Sequence, residues 1–174
     1  MESRRKSLIY YDEMLSPIGP LVLAATEDGL CSIDFGTRED NEERLGRRAA
    51  RFFQNAEWIA CADRLKSAKE QLHAYFQGSR EPFSIRMDLR GTQFQKRVWG
   101  ALLNVPYGAT ASYKDIAAAI DSPKAVRAVG GANNRNPIPI IIPCHRIIGA
   151  SGELVGYGGG LHVKKFLLQL EGQQ

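Results

Sequence analysis

The chain has 174 residues and a mass of 19.3 kDa, enough for one generous domain or two small ones with buried cores. Hydrophobic residues make up 44% and charged residues 24%, a globular composition, and no apolar run approaches the roughly 20 residues of a membrane span. The net charge of +4 is one-sided: residues 1–90 hold 14 Lys/Arg against 15 Asp/Glu, and residues 91–174 hold 9 against 4, so the second half alone presents the field that attracts polyanions such as nucleic acid.

Taken in chain order, Leu8–Tyr11 reads as a strand. Ser16-Pro17-Ile18-Gly19-Pro20 is a turn, and Leu21–Ala25 a second strand. Glu27-Asp28-Gly29 marks a hairpin into a third strand, Leu30–Phe35. Thr37 is placed to cap a charged helix with Glu39 and Asp40 in its first turn, running to about Phe53. In Asp63–Phe76 the apolar residues Leu65, Ala68, Leu72, Tyr75 and Phe76 recur at helical spacing, and Gly78 stops the helix. Phe83–Leu89 alternates like a short strand. This half reads as a small α+β unit with nothing catalytic in view.

Composition changes near residue 91. Thr92 can cap a helix carrying Phe94, Val98, Trp99, Leu102 and Leu103, which Val105-Pro106-Tyr107-Gly108 ends. Ser112 can cap Tyr113–Ile120. A turn at Asp121-Ser122-Pro123 leads to a helix over Lys124–Asn133, and the pair forms a helix-turn-helix pattern. Ile138–Ile142 is too short for a helix and too apolar to be exposed. It delivers the chain to Pro143-Cys144-His145-Arg146, after which come the glycine-rich stretch Gly149–Gly160 and an amphipathic helix over Val163–Leu170. The expected architecture is therefore α+β: a small N-terminal α/β domain over 1–90, and a mostly helical C-terminal domain with a helix-turn-helix over 91–174.

The three cysteines, Cys31, Cys61 and Cys144, are too few and too scattered for a disulfide scaffold and point to a reducing, cytoplasmic setting. The basic start has no apolar stretch after it, unlike a secretory signal. With three histidines and no CxxC or HxxxH spacing, no metal and no cofactor are expected. Cys144 is the chemical centre of interest. It follows a rigid proline, adjoins His145 and Arg146, which can favour the thiolate, and sits beyond a buried apolar scaffold. Neighbouring residues of an extended chain face opposite ways, so Cys144 and His145 need a bend or a water between them. His145 needs an orienting carboxylate, and Glu171 supplies it if the last helix folds back. The helix after Lys124 offers Ala125, Arg127, Ala128, Gly130 and Gly131. A major-groove reader presents several Arg, Asn or Gln side chains. One long cation among small residues suits minor-groove approach with little sequence preference. The alternative is a helix packed tightly through Ala and Gly with Arg127 solvated.

Several blocks together carry a family resemblance. IPIIIPCHRIIGASGELVGYGGGL resembles the active-site region of the O6-alkylguanine-DNA alkyltransferases. SPIGPLVLAATEDGL resembles their N-terminal hairpins, DLRGTQFQKRVWGAL and VPYGATASYKDIA their linker and first DNA-binding helix, and KAVRAVGGANNRNP their recognition helix and asparagine hinge. The resemblance implies a protein that binds double-stranded DNA carrying O6-alkylguanine, flips the damaged base into a pocket, and takes its alkyl group irreversibly onto Cys144, with no turnover. His145 would deprotonate Cys144 through a water, Glu171 would orient His145, and Asn136 would hold the surrounding turn. Tyr113 would stand beside the DNA and the departing guanine, and Arg127 would fill the space the base vacates. Lys124, Ala125, Ala128 and Gly130 would lie along the DNA, and Val155, Gly156, Tyr157, Gly158, Gly159 and Gly160 would wall the pocket. The run of three glycines implies a roomier pocket than in some relatives. Thr26 and Ser7 stand where other members carry zinc-binding cysteines, so no zinc is implied. The free protein would be a monomer, with cooperative assembly on DNA left open. Three other classes compete: a lesion-binding protein without chemistry, a sequence-specific regulator, and a Cys/His hydrolase. The presence of Cys144 with His145, Asn136 and Glu171 disfavours the first, and the small-residue helix disfavours the second. Only turnover on esters or peptides would support the third.

Overall fold

The computed structural model describes residues 5–172. The chain divides into two compact units, 1–90 and 91–174. Among the described residues no helix is long and apolar enough to cross a membrane.

In the first unit, β1 (Leu8–Ser16), β2 (Gly19–Thr26) and β3 (Gly29–Phe35) form an antiparallel meander. A fourth strand, β4 (Glu57–Ala60), adds to β1 in parallel, giving the order β3-β2-β1-β4. Leu21 to Ala25 of β2 are all buried, so both faces of the sheet are covered, as a continuous apolar run demands. Ala49 of α1 (Glu42–Phe52) clusters with Ile9, Ala24 and Cys31. Helix α2 (Ala62–Phe76) packs on β1 and β2, burying Leu65, Ala68, Leu72 and Tyr75.

Two sequence expectations need correction here. Thr37 does not cap α1: its hydroxyl accepts from the Asp40 N–H at 3.1 Å, closing a turn, and the helix begins at Glu42 behind Asn41. Phe83–Leu89 is not a strand. Its alternation puts Met87 against Leu30 in one isolated bridge, made by Leu30 N–H to the Arg86 carbonyl and Asp88 N–H to the Leu30 carbonyl. Strand β4 escaped sequence reading altogether.

The second unit opens with α3 (Gln93–Leu102), held by a capping box between Thr92 and Gln95. Helix α4 (Tyr113–Ala119) has the same device between Ser112 and Asp115. Each box satisfies two otherwise orphaned N–H groups at its helix start. Helix α5 (Val126–Asn134) begins two residues after the expected Lys124, which lies in the preceding turn, with Ala125 as the N-cap. Helices α3, α4 and α5 pack on one another, and the buried Trp99 indole donates to the Ala132 carbonyl at 2.9 Å, fastening α3 to α5. The turn after α5 is unusual. Ile138, Ile140 and Ile142 are fully buried, and Ile140 has φ +76°, a left-handed conformation in which a β-branched residue is a true outlier. Asn136 closes the turn, accepting from Ile138 N–H at 2.9 Å and donating to the Ile142 carbonyl at 2.8 Å. A single 3₁₀ turn, Cys144–Arg146, follows, then β6 (Ile147–Ile148), which pairs in parallel with β5 (Ala111–Ser112). Helix α6 (Leu161–Leu170) ends the unit two residues longer at its start than its periodicity suggested.

Candidate active site

The 3₁₀ turn supplies the bend that the Cys144–His145 pair requires: the two residues are not on an extended strand. Both are buried, His145 completely. Helix α6 packs on this turn and brings Glu171, at its C-terminal end, to His145: Nε2 and Oε2 are 2.8 Å apart. Burial pushes the Glu171 carboxyl up, but hydrogen bonds from His145 and Arg146 and their charges outweigh it and hold it down at about 2. It is therefore an acceptor only, which puts the imidazole proton on Nε2 and leaves Nδ1 with its lone pair. Nδ1 is buried and has no hydrogen-bond partner within the described structure. Burial pushes His145 below its ordinary value against the pull of Glu171, so the ring is neutral and basic at Nδ1 near neutral pH.

Arg146 does not serve the thiol as its place in sequence suggested. Its guanidinium donates to both Glu171 oxygens, at 2.7 Å from Nε and 3.1 Å from Nη2, and to the Val105 carbonyl at 2.7 Å. Its charge is spent on fixing the carboxylate, a bidentate geometry at which arginine excels.

Burial raises the Cys144 thiol to about 11, and a hydrogen bond from Asn136 together with the charge of Lys164 opposes the rise. Asn136 thus both closes the Ile138–Ile142 turn and reaches the sulfur. Lys164 went unread in the sequence. It is fully buried, and its ammonium donates to the carbonyls of Ile147, of Val155 at 2.9 Å, and of Gly156 at 3.5 Å. The available signal was its position: it shares the apolar face of α6 with Val163, Leu167 and Leu168, where a lysine is out of place unless its charge is used. Tyr113, first residue of α4, donates to the same Val155 carbonyl at 3.2 Å. Burial raises its phenol, and the negative charge of Cys144 adds to the rise.

Cys144, His145, Glu171, Asn136 and Tyr113 therefore converge on one region of the second unit. Of the glycine-rich segment, Val155 is 39% exposed and its carbonyl anchors both Tyr113 and Lys164. Gly156, at φ +56°, lies where a Cβ would sit 3.8 Å from the Tyr113 hydroxyl. Tyr157, Gly159 and Gly160 are half-buried and Gly158 is exposed. Lys124, Arg127 and Ala128 are exposed along the start of α5, with Ala125 and Gly130 half-buried. The two glycines of α5 are not demanded by packing. A Cβ at Gly131 would meet nothing within 4 Å, and one at Gly130 would only touch the Tyr113 ring at 3.9 Å. Among the described residues no cluster of His, Cys, Asp and Glu could hold a metal.

A sheet-bearing unit joined to a helix-turn-helix unit that carries a buried cysteine backed by a His–Glu pair defines a cysteine-centred protein with a nucleic-acid-type scaffold. Comparison with known proteins narrows this. Residues 9–89 match the 6-O-methylguanine DNA methyltransferase, ribonuclease-like domain, and residues 93–173 match the 6-O-methylguanine DNA methyltransferase, DNA binding domain. A methylated-DNA–protein-cysteine methyltransferase of Methanosarcina barkeri is 50% identical over 94% of this chain and 97% of its own length. The counterpart in Mycobacterium leprae is 47% identical over 96% and 94%. A crystal structure of Mycobacterium tuberculosis OGT in complex with DNA superposes with a TM-score of 0.80 at 46% identity, covering 93% of this chain and 92% of that one. The chain belongs to the 6-O-methylguanine DNA methyltransferase family, the DNA-repair alkyltransferases that move a methyl group from DNA to a cysteine of the protein.

Proposed function

We propose that the chain repairs duplex DNA by taking the alkyl group of O6-alkylguanine onto Cys144, once and irreversibly, after binding the minor groove and turning the damaged nucleotide out of the stack. The observation that carries this reading is the locked His145 ring. With Nε2–H held by Glu171 at 2.8 Å and Nδ1 buried without a partner, the ring is set to receive a proton from the neighbouring thiol through a water.

The step balances without a cofactor. The Cys144 proton passes to His145 Nδ1, and Sγ attacks the alkyl carbon. The S–C bond forms as the C–O6 bond breaks, the electron pair stays on the guanine, and a proton donated from the Tyr113 side neutralises the leaving base. A thioether has no easy exit, so one molecule repairs one lesion. Reaching O6 inside a duplex requires extrusion of the nucleotide. The exposed face of α5 supports that role: its glycines leave room for a sugar-phosphate backbone, and Arg127 is long enough to occupy the gap. Lys124, Ala125, Ala128 and Gly130 complete that face, and Val155 to Gly160 wall the pocket. Residues 91–174 carry binding and chemistry, and residues 1–90 serve as a structural domain.

The test is intact-protein and peptide mass spectrometry after incubation with a duplex containing O6-methylguanine. One methyl mass per molecule, on the Cys144 peptide and saturating, is the expected result. DNA bound under reducing conditions with no adduct would reject the transfer reading and leave a lesion-binding protein.

A further inference from the structure

The amide-rich run Asn133-Asn134-Arg135-Asn136 is divided by the fold. Asn136 turns inward to close the Ile138–Ile142 turn, and Asn133 is buried in the last turn of α5. Asn134, the last residue of α5, is exposed. Arg127, Gly131 and Asn134 follow one another at spacings of four and three and are all exposed, so they form one stripe along α5. The middle of the stripe is bare, since a Cβ at Gly131 would meet nothing within 4 Å. Its far end reaches the mouth of the site. A Cβ built on Gly156 would lie 3.5 Å from Asn134 Oδ1 and 3.8 Å from the Tyr113 hydroxyl. Helices α4 and α5 and the glycine-rich loop therefore meet at one spot, and Asn134 stands both on the stripe and at the mouth.

Among the described residues the Asn134 side chain makes no hydrogen bond. With Oδ1 turned towards Gly156, its Nδ2 amide keeps two hydrogens for an acceptor outside the protein. The neighbouring Tyr113 hydroxyl already donates to the Val155 carbonyl. A nucleotide that leaves the stack rotates about its own backbone, which brings its flanking phosphates against the protein. Asparagine amides are among the groups that hold phosphate oxygens and so fix orientation on the duplex.

We propose that Asn134 is a substrate-positioning residue: its Nδ2 amide donates to an oxygen of a phosphate that flanks the extruded nucleotide, so that the strand crosses α5 over Gly131 and the base enters beside Tyr113. The inference rests on the extrusion reading above and adds a contact to it. Arg127 fills the gap that the base leaves, and Asn134 holds the backbone of the nucleotide that has left.

The experiment is a cycle between protein and DNA. O6-methylguanine duplexes carry either a native backbone or one uncharged methylphosphonate, placed at the phosphate 5′ or 3′ of the lesion. Methyl transfer by wild type and by Asn134→Ala is measured on each, and on free alkylguanine base. On the native duplex Asn134→Ala should lower transfer by roughly 10-fold, as for the loss of one hydrogen bond to a charged group. Transfer from the free base, which has no phosphate, should be unchanged. At one of the two methylphosphonates the loss should shrink, because an uncharged oxygen is the weaker acceptor. Asn134→Asp keeps the shape, removes the donor and sets a negative charge against the phosphate, so it should lower transfer further than Asn134→Ala. An unchanged rate for Asn134→Ala, an equal loss on the free base, or the same loss on all three backbones would overturn the proposal. The cycle is repeated for equilibrium binding in a Cys144→Ser background, where no methyl can move to that position. A wild type that binds these duplexes but takes no methyl would reject the repair function, while the coupling seen in binding still decides the Asn134 assignment.

Discussion

Each unit buries one cysteine, and the two thiols could hardly be treated more differently. Cys31 sits in β3 within the sheet unit, where burial and the charges of Asp88 and Asp34 outweigh Arg48 and Arg90 and drive the thiol up to about 12. Both carboxylates are already bound to arginines: Asp34 pairs with Arg48 at 2.9 Å and Asp88 with Arg90 at 2.8 Å. Cys144 is just as hidden, but its neighbours are an amide donor, Asn136, and an ammonium, Lys164, both of which pull the other way. Burial raises either thiol. What separates the two thiols is the sign of the groups buried with them, together with the His145 Nδ1 lone pair, which has no partner among the described residues.

The largest expected effect comes from exchanging the two cysteines' fates. Cys144→Ser should abolish methyl uptake while DNA binding and the thermal melt persist, and Cys31→Ala should leave uptake unchanged. A methyl appearing on the Cys31 peptide would break the comparison outright. Next comes the carboxylate that orients the proposed base, His145. Glu171→Gln should slow transfer by up to roughly 10²–10⁴-fold, the range that general-base catalysis contributes, with DNA binding retained. It should also cost about 3–5 kcal/mol of stability by stranding Arg146 in the interior. The carboxyl of Glu171 is held below its ordinary value, so its contribution to stability is present above about pH 4.5 and is lost as pH falls towards about 2. Denaturant unfolding between those limits should show that slope in wild type and lack it in Glu171→Gln.

Arg127→Ala should sharpen the division between chemistry and DNA handling. Losing one charged contact of about 1.5–3 kcal/mol should lower duplex repair by roughly 10- to 100-fold, while reaction with free alkylguanine base and the fold are spared. Equal loss on both substrates would remove Arg127 from the insertion role. The smallest effect tests the emptiness around α5. Gly131→Ala meets no neighbour and should raise helix stability by about 0.5–1 kcal/mol, read by thermal melting, yet weaken duplex binding. A stabilised variant with unchanged affinity would show that nothing approaches that face.

Local devices were legible in the sequence. Thr92 and Ser112 announce their helices three residues ahead of Gln95 and Asp115, because a capping box is complete within four positions. The same holds for the Asp28-Gly29 hairpin and for α2. Long-range pairings were not legible. Strand β4 is four residues of Glu-Trp-Ile-Ala whose parallel partner lies about fifty positions earlier. Phe83–Leu89 alternates convincingly but finds only one bridging partner. At the site, the residues themselves singled out Cys144, His145 and Glu171, the family resemblance added Asn136, and the structure brings the four together. Sequence reading also misassigned Arg146, because adjacency in sequence says nothing of where a long side chain turns. Lys164 was passed over because amphipathic helices commonly carry lysines whose stems lie along apolar surface with the charge in water, and only burial distinguishes this one.

Ile140 has a consequence for how the nucleophile is seated. A β-branched residue at φ +76° costs on the order of 1–3 kcal/mol, and an isolated peptide of this sequence would decline that conformation. The local clasp by Asn136 does not remove that strain. It is tolerated only once Ile138, Ile140 and Ile142 have a finished interior to enter and Asn136 can clasp both sides. The turn that seats Cys144 is therefore not set by Ile140's own preference but by the interior around it. A chain in which that interior is open would hold Cys144 on an ordinary segment, away from the partners that surround it here.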